Sequence, residues 1–237
     1  MIVAPKTSLS PTFTVLGGQI SLLRGHLNPS EESLWLAASV CTQSYKTVLD
    51  AGCGCGIIGF SLLTRSPHLM LTGMDCNAQV LQQAQKNAAL NDFTYITQQA
   101  EFTASPFIKP FDCVVANLPF HARRRGFTSI DARKNEAYCM PTGVLTSWLD
   151  ALWRHSASSL HILLHTAEAD IVKRWARDIG VPFHCVYLVS HPERLAKRVI
   201  FHIGQRGDNL HVPTYKKPLR HKILYEGVSL KDGLAAV

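Results

Sequence analysis

The 237-residue chain holds seven cysteines, at 41, 53, 55, 76, 113, 139 and 185, but lacks any Cys-x-x-Cys pair. Neither zinc-type spacing nor an even-numbered disulfide framework is therefore present, and no metal is expected. The thiols fall mostly within apolar segments, which implies buried cysteines in a reducing, cytoplasmic compartment. No stretch approaches the ~18 uninterrupted apolar residues of a membrane span. Met1 to Arg24 lacks the basic run and apolar block of a secretory signal. Internal repeats and low-complexity tracts are absent too. With 46% hydrophobic and only 17% charged residues, the composition excludes a disordered chain. The length allows one large domain or two small ones, and a single α/β domain of this size buries roughly 70% or more of its extended surface and needs no staples.

Acidic residues are scarce in the second half. Residues 1–118 hold 6 Lys+Arg against 7 Asp+Glu, whereas residues 119–237 hold 18 against 10. The net charge of +7 therefore originates beyond residue 118. Its densest pieces are Arg123-Arg124-Arg125, Arg133-Lys134, Lys197-Arg198 and a tail with Lys216, Lys217, Arg220 and Lys222. Such asymmetry within one domain favours a polyanionic partner, because phosphates are held by Lys and Arg with release of counterions.

The pattern along the chain is that of an α/β protein. Val15 to Ile20, with Gly17-Gly18 at its centre, reads as a hairpin. Glu31 to Cys41 reads as a helix with Leu34, Ala37, Ala38 and Cys41 on one face. Strands are expected at Thr47–Asp50, Leu69–Met74, Tyr95–Gln98 and Phe111–Ala116, with helices through Arg65 and from Ala78 to Leu90 between them. After a long loop come a helix Val144–Arg154 capped by Thr142, a strand Leu160–Leu164, and a helix Ala167–Ile179. That last helix turns Ile171, Val172, Trp175 and Ile179 inward, and Gly180 closes it. Strands Val186–Val189 and Arg198–Ile203 complete the set. Strands alternating with helices predict a parallel-dominated, doubly wound sheet. The single domain carries an N-terminal extension (about 1–44) and a basic C-terminal appendage (about 205–237).

Gly52, Gly54, Gly56 and Gly59 follow the first strand of the alternation. Glycines there let the backbone approach a ligand and open a helix whose N-terminal amides attract negative groups. Gly54-Cys55-Gly56-Ile57-Ile58-Gly59 satisfies the dinucleotide pattern G-x-G-x-x-G, with Asp75 where a ribose-binding acid belongs. Asp50-Ala51-Gly52-Cys53-Gly54-Cys55-Gly56 instead resembles motif I of the class I S-adenosylmethionine-dependent methyltransferases, D-x-G-x-G-x-G. The acid discriminates. Asp50 would repel a pyrophosphate, but it can orient the turn and meet the ammonium side of a sulfonium ligand. On this reading Gly52, Cys53, Gly54 and Gly56 cradle the cofactor. Asp75 takes its ribose hydroxyls beside Cys76, and Glu101 accepts from the adenine amine as is common in that superfamily.

The fourth strand of the alternation ends in Asn117-Leu118-Pro119-Phe120, which resembles the [N/D]-x-P-[Y/F] motif of amino-methyltransferases. A planar exocyclic amine is a poor nucleophile because its lone pair is delocalised. The Asn117 side-chain oxygen and the Leu118 carbonyl can each accept one of its hydrogens, favouring a tetrahedral nitrogen. Phe120 can stack on the base, and Pro119 holds Leu118 extended. Leu118 stands where Pro is commoner, but that position contributes only its carbonyl. Asn117 thus faces both cofactor and substrate.

Over most of its length the chain resembles the bacterial tRNA1(Val)-type adenine-N6 methyltransferases. The likeness runs through LGGQISLL, LWLAASV, both cofactor motifs, FDCVVANLPFH, SWLDALW, LHILLH and RLAKRVIFHI. It implies a Rossmann-like seven-stranded sheet with the last strand antiparallel and S-adenosylmethionine as methyl donor. It also implies tRNA as substrate, methylated on the adenine next to the anticodon. Two alternatives share the chemistry: rRNA guanine-N2 methylation, whose enzymes usually bring a second methyltransferase-like domain, and glutamine-N5 methylation of a protein, which does not call for a basic second half. A third reading is a non-catalytic RNA-binding module.

His161 and His165 are four apart, but on a strand they sit ~13 Å from each other, too far for one ion. His121 reads as a plain loop residue, Cys53 and Cys55 as small fillers of the turn, and Trp148, Trp153 and Trp175 as core. The expected nucleic-acid contacts are Arg123, Arg124, Arg125, Arg133 and Lys134 in the loop after the tetrad, together with Arg198. Neutralising Arg123, Arg124 and Arg125 together should weaken tRNA binding and flatten its salt dependence. An unchanged slope of log K against log salt would exclude that loop from the contact.

Overall fold

Alternating apolar strands and helices assemble into one seven-stranded mixed sheet. The computed structural model describes residues 12–25, 28–101, 103–104, 107–119, 121–122, 139–140, 143–188 and 195–204. In chain order, β1 (Thr12–Val15) and β2 (Ile20–Leu23) form an antiparallel hairpin, joined by a 3-10 turn over Leu16–Gly18. Next come α1 (Glu31–Ser39), β3 (Thr47–Ala51), α2 (Ile57–Arg65), β4 (Met70–Asp75), α3 (Ala78–Leu90), β5 (Ile96–Gln99) and β6 (Phe111–Asn117). A two-residue parallel pair, β7 (His121–Ala122) with β8 (Cys139–Met140), precedes α4 (Leu145–Arg154). The chain then forms β9 (Ser156–His165), α5 (Ala169–Asp178), β10 (Phe183–Leu188) and β11 (Arg198–Ile203).

The sheet order is β10-β11-β9-β6-β3-β4-β5. β9, β6, β3, β4 and β5 are parallel, and β11 lies antiparallel between β9 and β10. This is the expected Rossmann-like sheet with its last strand reversed. From β3 the chain winds outward through β4 and β5, and from β6 it winds the other way through β9. Their loops diverge at the shared edge and leave a crevice outside the carboxyl ends of β3 and β6. Cys113 to Ala116 of β6 are fully buried, as a strand covered on both faces must be. The hairpin, α1 and α2 pack on one face around Trp35, Leu36, Phe60 and Leu62. The other face is closed by α4 and α5, around Leu149, Leu152, Val172 and Trp175.

Several local expectations are corrected. Helix α1 stops at Ser39, so Cys41 is exposed, and every residue from Ser33 to Ser39 is buried instead of one face. Cys76 is exposed too, whereas Cys53, Cys55 and Cys113 are buried as expected. Helix α4 begins under Val144 with no side-chain cap; the expected cap, Thr142, lies outside the described residues. Helix α5 starts two residues late, after a 3-10 turn over Thr166–Glu168. Its inward stripe becomes Ala169, Val172, Trp175 and Ala176, leaving Ile171 and Ile179 exposed. The Trp175 indole donates to Asp150 at 2.8 Å and ties α5 to α4. Trp148 and Trp153 pack against the same core, partly buried. His121 lies in β7 instead of a plain loop. The C-terminal appendage and residues 1–11 fall outside the described residues. No helix among the described residues is long and apolar enough to cross a membrane.

Amide side chains on α3 and at its C-cap fix the hairpin. Gln83, Asn87 and Asn91 recur every four residues and so share one helical face. Asn91 accepts from Ser21 N and donates to Ser21 O, both at 2.7 Å. Gln83 donates to Leu23 O at 3.1 Å, and Asn87 accepts from Leu23 N at 2.8 Å. Asn87, fully buried, also donates to Cys55 O at 3.0 Å, linking hairpin, helix and glycine turn. Asn87→Ala strands one buried and one part-buried backbone group and should cost about 2 kcal/mol in urea unfolding. Hydrogen exchange at Leu23 should accelerate in the same variant.

Candidate active site

The crevice is built on the turn between β3 and α2. Gly52, Gly54 and Gly56 have φ of 71°, 56° and 91°, a left-handed region in which a side chain would be strained. Gly52 N and Cys53 N both donate to Met74 O, at 2.7 and 2.9 Å, so the turn is fastened to the end of β4. The adjoining Asp75 accepts from Gly54 N at 3.1 Å through one oxygen and from Asn77 N at 3.0 Å through the other. Asn77 in turn caps α3 by accepting from Gln79 N and Val80 N. Burial raises the Asp75 pKa above the usual carboxylate value, and the amides it accepts from oppose the rise.

Asp50 does half of what the sequence predicts. Its Oδ2 accepts from Gly59 N at 3.0 Å and from the Tyr95 hydroxyl at 3.3 Å, pinning the turn to α2. The side chain is fully buried, however, and does not line the crevice, so it is not positioned to meet an ammonium group. Strand alternation decides this: Asp50 points toward α2, beneath the turn instead of into it. Burial pushes its pKa up to about 7; Gly59 and Tyr95 oppose the shift, and nearby Asp75 adds to it. Its Oδ1 is buried with no hydrogen-bond partner.

The crevice holds about 540 Å³ of empty space, part of it open solvent. Its wall consists of Asn28 to Ser30 with Ser33, Gly52 to Cys55, Ile57, Ile58 and Asn117. Asn117 ends β6, and its Nδ2 donates to Ser33 Oγ at 3.0 Å. That leaves Asn117 Oδ1 buried and without a partner, an acceptor held ready at the wall. Leu118 is buried and anchored by its N–H to Leu163 O at 2.9 Å; Pro119 is half-buried.

Of the residues singled out from sequence, Gly52, Cys53, Gly54 and Asn117 meet in the crevice wall. Gly56 sits behind it as the residue from which α2 starts. Asp75 is half-buried at the end of β4, with Cys76 and Glu101 exposed beside it at the ends of β4 and β5, outside the lining. Arg198 is engaged with Glu32 at 3.6 Å, joining β11 to the first turn of α1. Phe120, Arg123, Arg124, Arg125, Arg133 and Lys134 lie outside the described residues. Sequence reading missed Ser33, whose signal was only a helix-capping pattern, and Tyr95, which gave none. The described residues contain no group of three His, Cys, Asp or Glu that could hold a metal.

Residues 31–134 match the family model of the Methyltransferase small domain. The chain is 33% identical over 116 residues to ribosomal RNA small subunit methyltransferase C of Aeromonas hydrophila, covering 46% of this chain and 32% of that protein. It spans between about a fifth and a third of the length of the curated relatives it matches. Among solved structures, a predicted O-methyltransferase from Agrobacterium tumefaciens superposes with a TM-score of 0.60 at 15% identity, covering 83% of this chain and 96% of that one. The hMettl16 catalytic domain in complex with a MAT2A 3′UTR hairpin superposes at 0.51 and 14% identity, covering 73% and 68%. The fold is that of the class I methyltransferases, and the cofactor that the sequence motifs imply is S-adenosylmethionine.

The residues present fit that cofactor. The left-handed Gly52 and Gly54 put no side chain into the crevice, and the amides opening α2 suit the cofactor's carboxylate. Asp75 keeps acceptor capacity for a ribose diol, because each carboxylate oxygen has more lone-pair sites than the single amide bond it accepts here.

Because the Asp50 pKa is higher in the native state than its ordinary value of 3.8, the native state binds the extra proton between about pH 4 and pH 7. Asp50 therefore contributes stability at low pH that is lost as pH rises through about 7. Asp50→Asn should remove this slope. Its stability relative to the native protein should climb by an amount on the order of 4 kcal/mol from pH 4 to pH 7, then level off. Urea unfolding of both proteins across that range measures the difference, and a flat difference would show that Asp50 is ionised throughout.

Proposed function

We propose that the chain methylates a planar exocyclic amine of an RNA base, with adenine N6 in tRNA as the target. What carries this reading is the Asn117 side chain: its amide nitrogen is occupied by Ser33, and its buried oxygen stands unpartnered at the crevice wall. An acceptor so placed receives a hydrogen from an NH2 group and repels a carbonyl. Together with the Leu118 carbonyl it draws both hydrogens of a flat amine out of the base plane, restoring the nitrogen lone pair. S-adenosylmethionine, when bound, supplies an electrophilic methyl group on sulfur. Asp75, Cys76 and Glu101 are assigned to its ribose and adenine, and Gly52, Cys53, Gly54 and Gly56 to its cradle. No strong base is required, since the methylated nitrogen sheds its proton readily to water. Catalysis of this kind is orientation plus fixed acceptors.

RNA as the substrate class is supported by the basic second half, by the rRNA methyltransferase relatives, and by a fold neighbour solved with an RNA hairpin. Arg123, Arg124, Arg125, Arg133 and Lys134 are assigned to the phosphates, and Arg198 to the rim beside Glu32. The relatives named for small-subunit rRNA favour one second reading, guanine N2 in rRNA, whose amine makes the same demand on Asn117.

Labelled cofactor, unmodified tRNA and small-subunit rRNA transcripts, and a nuclease digest test both readings. N6-methyladenosine is expected from tRNA, N2-methylguanosine from rRNA would select the second reading, and label only in protein would overturn both. Asn117→Ala should lower kcat by about 100-fold or more, with a much smaller change in S-adenosylhomocysteine affinity.

A further inference from the structure

Helix α1 places a hydroxyl against the motif that ends β6. Ser30 accepts from Ser33 N at 3.2 Å as the N-cap of α1, and the two hydroxyls lie 3.1 Å apart. Ser33, 6% exposed, accepts from Asn117 Nδ2 at 3.0 Å. Where Ser33 donates its hydrogen to Ser30 Oγ, its own oxygen can only accept, so the nitrogen end of the Asn117 amide is the one held against it. An asparagine side chain is nearly symmetric in shape, so only its hydrogen bonds decide which end faces the crevice. With Nδ2 on Ser33, the acceptor faces inward; turned by 180°, the same residue would present a donor and refuse an amine. Ser33 Oγ is the hydrogen-bond partner of Asn117 Nδ2, and Asn117 Oδ1 has none.

We propose that Ser33 is a positioning residue: its hydroxyl locks the Asn117 amide with the oxygen toward the substrate, so that α1 sets the polarity of the amine site. This rests on the assignment of Asn117 as the amine acceptor. The lock sits on a helix that is buried from Ser33 onward and whose cap lines the crevice. It also makes the N-terminal segment part of the reaction centre and not merely a cover.

The test compares Ser33→Ala, Ser33→Thr and the pair Ser33→Ala/Asn117→Ala in the full chain, using unmodified tRNA and rRNA transcripts. Ser33→Ala should lower kcat by about tenfold, the factor commanded by one neutral hydrogen bond, with S-adenosylhomocysteine affinity and RNA KM within about twofold. Ser33→Thr, which keeps the hydroxyl, should restore turnover. In the Asn117→Ala background the serine change should have no further effect on kcat. Full activity of Ser33→Ala, or an equal loss in both backgrounds, overturns the lock. A second readout is independent of turnover: the Asn117 side-chain NH2, assigned by its disappearance in Asn117→Asp, should be protected from hydrogen exchange, and Ser33→Ala should abolish that protection. If the native protein methylates no RNA while the amide is protected, the lock stands and the assigned reaction fails. If the amide is unprotected, the lock fails whatever the activity.

Discussion

The whole site depends on one tight reversal of backbone at the end of β3. Between Ala51 and Ile57 the chain must leave a buried strand, pass close to a ligand, and enter a helix pointing away. Three left-handed glycines permit the path, but they do not hold it. The hold comes from below and from the side: Asp50 on Gly59, Met74 O on Gly52 and Cys53, Asp75 on Gly54, and Asn87 on Cys55. The partners come from β3, β4 and α3, and Gly59 from α2, so the cradle is rigid only when all four elements are assembled. The fully buried Asp50 is the costly member, and burial pushes it toward its neutral form.

The N-terminal hairpin and α1 complete the arrangement. The hairpin is docked through its backbone, with amide side chains of α3 and its C-cap taking the edge groups of β2 that a neighbouring strand would take in a sheet. The chain then crosses Asn28 to Ser30 along the crevice wall and enters α1. Segments that are 84 residues apart in sequence meet where Ser33 holds Asn117. The ion pair from Glu32 to Arg198 fastens the same helix end to β11.

A second polar cluster lies at the β10 edge of the sheet, with His161 and His202 buried and His184 half-buried. His184, His202 and His161 sit directly opposite one another on β10, β11 and β9. The His161 and His202 rings share a hydrogen bond between their Nδ1 atoms at 2.6 Å, and His184 stacks on His202 at 4.5 Å. The Tyr45 hydroxyl, 3.2 Å from His161, donates to Ser159 at 2.9 Å. Burial pushes His161 down to about 3 and holds His202 well below its ordinary value, so both rings are neutral at physiological pH. His165, the other member of the spaced pair, instead accepts from Ala167 N at the end of β9.

Local patterns carried much of this protein. The sequence by itself determined the strand–helix alternation, the glycine turn and the Asn117 to Phe120 tetrad, because period, turn chemistry and apolar runs are properties of neighbouring residues. It also marked Asp50 and Asp75 as strand-end acids. It did not decide where Asp50 points, which flank of α5 is buried, or that Tyr95, Asn87 and Ser33 serve the site. Those were set by the tertiary structure. A side chain's partner across the fold depends on sheet order and helix docking, which bring together residues whose separation along the chain leaves no periodic trace. The tetrad could be read from four letters, whereas the direction its asparagine faces required a serine from another helix.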